Sequence, residues 1–513
     1  MFFIKRLVFS VDTWYDIIIK IIMGKNGVFL CFSSRLKAND LESIRKGMNN
    51  MAENGHKTTA ELRQLLKDSM TTHGVLSPEG RLTAHERMNL FFDEGTFVEV
   101  GAYIGRKRTE LDSEADDSFE PVVTGYGAVD GTLVYVFSQD FSRLHGALGE
   151  MHAKKIVKIV EMAARSGAPL VGIFDSAGAK ILEGVDALAG YGSIMRAIGT
   201  APITKIAVVC GPCGGAGSVI AELFDLLIGA KKTGKLFVSP SGKKADGISA
   251  KESLIDIVCE DDAAAVTKAR IACSYFTGTH PQSDDINRIV ALDGILSQDV
   301  YDVHAVIDTV FDAGSFMETG AEYAGSMVTG LAAIGGRVVG IVANNPATKG
   351  GLLCPCAADK AARLLSVCRG AALPVVTLVD TDGIADKAHA EEMGFAAKLS
   401  GLAAAYVNLT APAVTVTLGK SYGTAHTVMG SKALTGGVAL ALDRAKISAM
   451  SPDSAVEFLG EVDDESRHSE IAARWAQTYA SPLEAAKSGH IDDIIDAAEL
   501  RQRIGAALEM LCF

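Results

Sequence analysis

Two glycine-rich turns hold the chemistry that this sequence offers. The first is Val209-Cys210-Gly211-Pro212-Cys213-Gly214-Gly215-Ala216-Gly217, which follows an apolar run and opens a helix predicted over 218–228. The second is Leu418-Gly419-Lys420-Ser421-Tyr422-Gly423-Thr424-Ala425-His426, ahead of a helix predicted over 427–433. A strand, a turn of small residues and a helix N-terminus leave backbone N–H groups exposed, with the positive end of the helix dipole behind them. Such a turn binds a phosphate or stabilises an oxyanion on a reacting carbonyl. Close packing of a helix on a strand would explain either turn alone, but not their repetition at matched positions.

Other chemistries find little support. Gly211-x-x-Gly214-Gly215 does not fit the dinucleotide spacing G-x-G-x-x-G, and no P-loop signature occurs. Cys210-Gly211-Pro212-Cys213 has redox spacing, but it lies inside the glycine turn and reads as structural. No H-E-x-x-H, four-cysteine zinc pattern or G-x-S-x-G elbow is present. Asp140, Glu150, Asp175, Glu183 and Asp380 sit near predicted strand ends, where acids most often cap turns.

The elements that must position the turns come in two copies. Gly131-Thr132-Leu133-Val134 recurs as Gly336-Arg337-Val338-Val339, Lys155 as Lys360, Pro169 as Pro374 and Asp175 as Asp380, each 205 positions later. Asp93-Glu94-Gly95-Thr96-Phe97 recurs as Asp312-Ala313-Gly314-Ser315-Phe316, 219 positions later. The difference places about 14 extra residues in the first copy, assigned to the charged stretch 105–120 as a surface loop. Strands are predicted over 132–137, 170–174 and 203–209, and again over 338–343, 375–379 and 413–418. Continuous apolar strands alternating with helices over 153–166 and 359–371 imply a layered α/β architecture with right-handed crossovers.

Length and composition agree. A chain of 513 residues with 48% apolar content and 52 glycines suits a tightly packed α/β enzyme. A net charge of -13 without a long basic run argues against nucleic acid as a partner. Nine irregularly spaced cysteines, several in apolar segments, read as reduced thiols of a cytoplasmic protein. The first 47 residues differ: Asp12, Asp16 and Lys20 break the only long apolar stretch, which disfavours a membrane span. They read as lying upstream of the true start, with Met48 or Met51 as initiator. The domains expected are an extension over 1–50, a first half over 51–285 and a second over 286–513.

Phe137-Ser138-Gln139-Asp140-Phe141 and Gly146-Ala147-Leu148-Gly149-Glu150-Met151-His152-Ala153-Lys154-Lys155 resemble the carboxyltransferase family of biotin-dependent acyl-CoA carboxylases, of the propionyl-CoA/methylmalonyl-CoA type. Asp175-Ser176-Ala177-Gly178-Ala179-Lys180 is similar to that family's D-S-G-G-A-R, and Gly211-Pro212-Cys213 to its G-P-C-A-G-G-A turn. Val342-Ala343-Asn344-Asn345-Pro346, Asp359-Lys360-Ala361-Ala362-Arg363 and Met429-Gly430-Ser431-Lys432 resemble V-A-N-Q-P, D-K-A-A-R and M-A-S-K. The resemblance runs from about Arg81 to Leu459.

It implies tandem crotonase-like (ClpP/crotonase) ββα-superhelix domains, usually a homohexamer. The substrate would be a coenzyme A thioester on the N-terminal side, and the cofactor biotin, as carboxybiotin on a separate carrier, would approach from the C-terminal side of a partner chain. Two backbone oxyanion holes would serve the thioester and biotin. By position, Gly215 and Ala216 match the first hole, Thr424 and Ala425 the second; Ala177, Gly178, Gly214 and Gly423 line the pockets. Partners would be a biotin carboxyl carrier protein and a biotin carboxylase subunit, or a membrane decarboxylase subunit. An inactive CoA-binding paralogue and a biotin-free hydratase or hydrolase are the other readings.

The sequence also departs from the family. Ala177 replaces a glycine and Lys180 an arginine; Asp382-Gly383-Ile384 stands for P-G-F, and Ala397-Lys398-Leu399-Ser400 for R-H-G-A. Thr424 replaces a glycine, and His426-Thr427 the Tyr-Asp where the family tunes acyl size. A β-branched residue is poor at positive φ, so the biotin half is expected to be less well kept than the CoA half.

Overall fold

The structure, a computed structural model, describes residues 6–7, 19–24, 27–31, 58–71, 81–105, 107, 119–239, 248, 255–276, 283–298, 300–385, 388–459 and 465–512. It divides into two compact units, 1–68 and 69–513. In the first, Arg6–Leu7, Ile19–Gly24 and Gly27–Cys31 pair antiparallel into a three-stranded sheet. Met48 and Met51 lie outside the described residues. A helix runs over Thr59–Thr71, its start tied by Glu61 N donating to Thr58 Oγ1 and Thr58 N to Glu61 Oε2.

In the second unit the two copies build two sheets. The first runs Val98–Glu99, Val122–Val129, Thr132–Gln139, Leu170–Phe174, Lys205–Val209, Leu226–Ala230, Ile257–Cys259. The second runs Met317–Thr319, Met327–Ile334, Arg337–Asn344, Val375–Thr381, Ala413–Tyr422, Val438–Leu442, Asp493–Ile495. Each opens with an antiparallel hairpin and continues in parallel. Leu170–Phe174 and Val375–Thr381 are buried at every position, as strands covered on both faces must be.

The hairpin turns are closed alike. Asp93 accepts the amides of Asp130 and Gly131, and Asp312 those of Gly335 and Gly336. Arg270 then binds Asp93, and Arg501 binds Asp312 at 2.6 Å. The extra residues of the first copy lie between Val98–Glu99 and Val122–Val129 as expected; 106 and 108–118 are outside the described residues.

Both helices predicted after the glycine turns are shorter in the structure. The first is Ala216–Glu222, and Leu226–Ala230 is a fully buried strand. Asp225 separates them, accepting Lys205 N at 2.7 Å; the unbroken apolar run beyond it satisfies a two-sided strand as well as a buried helix. The second is Gly423–Val428, followed by Lys432–Thr435.

One apolar cluster draws on both copies, joining Val171, Ile206 and Ile228 with Val342, Leu365 and Leu402. Arg363 adds a bridge, its Nε 2.7 Å from Asp256 Oδ1 and its Nη1 3.1 Å from Glu222 Oε2.

Candidate active site

The first turn is built in three steps. Strand Lys205–Val209 ends, Pro212–Gly214 pairs with Lys235–Phe237, and Gly215 turns the chain into helix Ala216–Glu222. Gly215 makes that turn with φ +56° and ψ −126°, outside what side chains allow comfortably. Its own amide donates to Phe237 O at 2.9 Å. Gly215 therefore contributes backbone shape and not an N–H; the first-turn amides of Ala216 and Gly217 have no intrahelical acceptor.

The second turn repeats this three residues out of the 205 register. Lys420–Tyr422 pairs with Lys446–Ser448, and Gly423 leaves the strand with φ +54°. The offset of 208 matches Gly423 to Gly215, Thr424 to Ala216 and Ala425 to Gly217. The positive φ thus falls on Gly423, and Thr424 is not among the residues with positive φ. The expected weakness at Thr424 is overturned: its side chain is exposed, Ala425 is buried, and the glycine that the backbone needs is one position earlier.

A second loop is built alike in each half. Ser176 Oγ accepts Gly178 N at 3.1 Å, and Thr381 Oγ1 accepts Gly383 N at 3.1 Å. Gly178 and Gly383 have φ +118° and +127°, and their carbonyls accept Leu148 N and Leu353 N. The departure to Asp382-Gly383-Ile384 leaves this backbone intact, with Asp382 exposed and bonded to Lys420 Nζ at 2.7 Å. Ala177 is exposed, its amide donated to His145 O at 2.9 Å.

Gly178, Gly214 and Gly217 meet at one water-sized cavity of about 10 Å³, walled also by Gln139, Ser176 and Tyr191. Gly215 and Ala216 lie in chain order between two of its lining residues. Gly423 borders a different cavity of about 470 Å³, with His426, Thr427, Tyr479 and His490. His426 Nδ1 lies 2.9 Å from Ser421 Oγ, and burial pushes the imidazole below its ordinary range.

Buried charge braces both sites. Arg87, fully enclosed, donates to Asp175 at 2.7 Å and Asp262 at 2.8 Å. Lys155 donates to Val122 O and Lys360 to Met327 O; burial pulls each ammonium down to about 8. These bonds tie each helix to the first strand of its hairpin. The cysteines with described side chains are free thiols, and burial raises Cys210 and Cys213 well above the ordinary thiol range, opposite to the lowering that activates a thiol. Among the described residues no group of three His, Cys, Asp or Glu could hold a metal. None of Phe237, Gln139, Tyr191 and Arg87 was given a site role from sequence, although Gln139 falls in the family-like motif over 137–141; they come from other strands and helices.

Residues 76–512 match the Carboxyl transferase domain family. The chain is 34% identical to the methylmalonyl-CoA decarboxylase alpha subunit of Propionigenium modestum, over 84% of its own length and 90% of that protein. It is 33% identical to the propionyl-CoA carboxylase beta chain of Roseobacter denitrificans, over 84% and 91%. The crystal structure of transcarboxylase 12S, a hexamer with hydrolysed methylmalonyl-coenzyme A bound, aligns with TM-score 0.81 and 31% identity over 89% of this chain and 96% of that one. With the tandem crotonase-like fold and the paired glycine turns, these likenesses show that the chain belongs to the carboxyl transferase family and is a biotin-dependent acyl-CoA carboxyltransferase.

Proposed function

We propose that this chain transfers a carboxyl group between biotin on a separate carrier protein and the α-carbon of a short acyl-CoA, propionyl- or acetyl-CoA. The half over 51–285 takes the thioester and the half over 286–513 takes biotin. The observation that carries the reading is the pair Gly215 and Gly423, two turns of one shape, one in each half. Two reacting carbonyl groups need two oxyanion sites, and a pair of matched turns could supply one each.

Bound carboxybiotin supplies the carboxyl group and a ureido group able to take the α-proton. The protein supplies fixed dipoles. The amides of Ala216 and Gly217 meet the thioester oxygen as it gains charge, and those of Thr424 and Ala425 meet the ureido oxygen. Each such donor is worth about 2.7–4 kcal/mol in a site closed to water. The small cavity beside Gly178, Gly214 and Gly217 takes the acyl group, with room for little more than a methyl. Gly423 orients the second turn, and Ala177 and Gly178 shape the thioester pocket.

The assembly is a cytoplasmic homohexamer working with a biotin carboxyl carrier protein and a biotin carboxylase subunit, without nucleic acid. The hexamer of transcarboxylase 12S supports the assembly. Among the described residues no helix is long and apolar enough to cross a membrane. A second reading runs the same half-reaction backwards, as the carboxyltransferase subunit of an acyl-CoA decarboxylase with a membrane partner. It is favoured by the likeness to the methylmalonyl-CoA decarboxylase alpha subunit. An inactive paralogue loses its main motive, because Thr424 and Asp382 leave the backbone of both loops in place.

The test is decarboxylation of methylmalonyl-CoA or malonyl-CoA by the purified chain with free biotin. Biotin-stimulated turnover is expected. Binding of CoA without turnover, beside an active family control, would return the inactive paralogue; turnover indifferent to biotin would point to a hydratase or hydrolase.

A further inference from the structure

We infer that Asp380 is a positioning residue for the second glycine turn, holding in register the amides that face biotin. The inference rests on the assignment of the second half to biotin.

Asp380 stands where the sheet changes register. Val379 pairs with Thr417, but Thr381 pairs with Ser421, so Leu418, Gly419 and Lys420 bulge out opposite this one residue. A bulge of that size disrupts the ladder locally and leaves strand amides on this side without ladder partners. The Asp380 carboxylate fills the gap. Its Oδ1 accepts Lys420 N at 2.9 Å, and its Oδ2 accepts the Tyr301 hydroxyl at 2.8 Å. It presses on Gly419, where an added Cβ would stand 2.3 Å from Oδ2. The carboxylate thus fixes Lys420, three residues ahead of Gly423.

The first copy shows why this is a device of the second half. There Val209 pairs with Phe174, and Ser176 N reaches Pro212 O at 2.8 Å, so the same slip occurs beside Asp175. The residue matching Lys420 is Pro212, which has no N–H to give and whose ring fixes φ. Asp175 is instead held by Arg87 at 2.7 Å and Arg81 at 3.3 Å. A proline stiffens the thioester turn; a carboxylate-to-amide bond stiffens the biotin turn.

The experiment uses the full-length chain, free biotin and methylmalonyl-CoA, with D380A, D380N and Y301F compared against wild type. D380A is expected to lower kcat/KM for biotin about tenfold, the factor for loss of one charge-assisted hydrogen bond, with KM for methylmalonyl-CoA unchanged. D380N keeps an oxygen for Lys420 N and is expected to recover most of that loss. Y301F, which frees only the other oxygen, should move the biotin parameter the same way by less, and it serves as the folded variant if D380A does not fold. Amide exchange followed by mass spectrometry gives a readout without substrate: in D380A or Y301F the peptide over 418–428 should exchange faster and that over 210–222 should not. A wild type lacking biotin-stimulated turnover sinks the functional reading, while the exchange result still decides the role of Asp380. An active wild type with variants that lower both substrates equally, or that leave biotin kinetics and exchange untouched, overturns the inference.

Discussion

Gly215 and Gly423, 208 positions apart, leave a sheet strand for a helix with the same backbone rotation, φ +56° and +54°. Neither rotation suits a residue with a Cβ, so both positions require glycine for a conformational reason. Their neighbours differ freely: Ala216 matches Thr424, and Gly217 matches Ala425. The chemistry is carried by main-chain direction, and side chains may change around it.

Substitution should separate the two positions. Gly423→Ala is expected to destabilise by about 1–3 kcal/mol through forced positive φ, with its new Cβ 3.1 Å from Ala449 O, and to depress biotin-dependent turnover. Thr424→Gly should leave turnover within a small factor of wild type. Urea denaturation and the free-biotin assay check both; equal losses at the two positions would place the critical rotation elsewhere.

Arg87 joins Asp175 and Asp262 in full burial. Arg87→Met removes a charge that both acids share and should cost about 3–5 kcal/mol, the usual penalty for stranding a buried partner. Arg87→Lys should recover little, since a single ammonium cannot reproduce the fork. The midpoint of chemical unfolding is the measurement.

His304 sits between Glu318 at 3.1 Å and Asp302 at 2.6 Å. The bond to Glu318, and then that to Asp302, raises its imidazole to about 9. Its folded value exceeds the unfolded one, so the stabilisation is complete below about pH 6.5 and is lost as pH rises through about 9. The ring is partly exposed, and the effect should be modest and sensitive to salt. Unfolding midpoints between about pH 6 and about pH 10 should decline for wild type across that window relative to His304→Gln.

The water-sized cavity beside Gly178 and Gly214 is walled by Ile194 on helix Val185–Thr200. Ile194→Ala should cost about 2–5 kcal/mol and raise the rate with ethylmalonyl-CoA relative to methylmalonyl-CoA. An unchanged ratio would show that the acyl group lies elsewhere.

Much of this was legible in the chain. Leu170–Phe174 could be read residue for residue, because a strand covered on both faces is apolar throughout. The 205 register predicted matching helices, and Glu150–Ser166 and Pro355–Gly370 are those helices. Leu226–Ala230 was misread as helix because five buried residues carry no period that separates the two forms. Asp493–Ile495, a strand of the second sheet, is three residues long and flanked by acids, too short for any period to mark it.

The site divided along the same line. Two strand–glycine–helix turns, and the expectation that they use main-chain chemistry, can be read from the chain because composition and spacing are local properties. The fold alone shows which amides remain to be used: Phe237, 22 residues beyond Gly215, takes that glycine's N–H, and the move from 205 to 208 is already present where Leu170 pairs with Lys205 and Val375 with Ala413. Hydrogen-bond partners supplied from a distant strand leave no trace in the spacing of the residues they engage. The sequence could place the two turns, and the fold alone could say which N–H groups face outward from them.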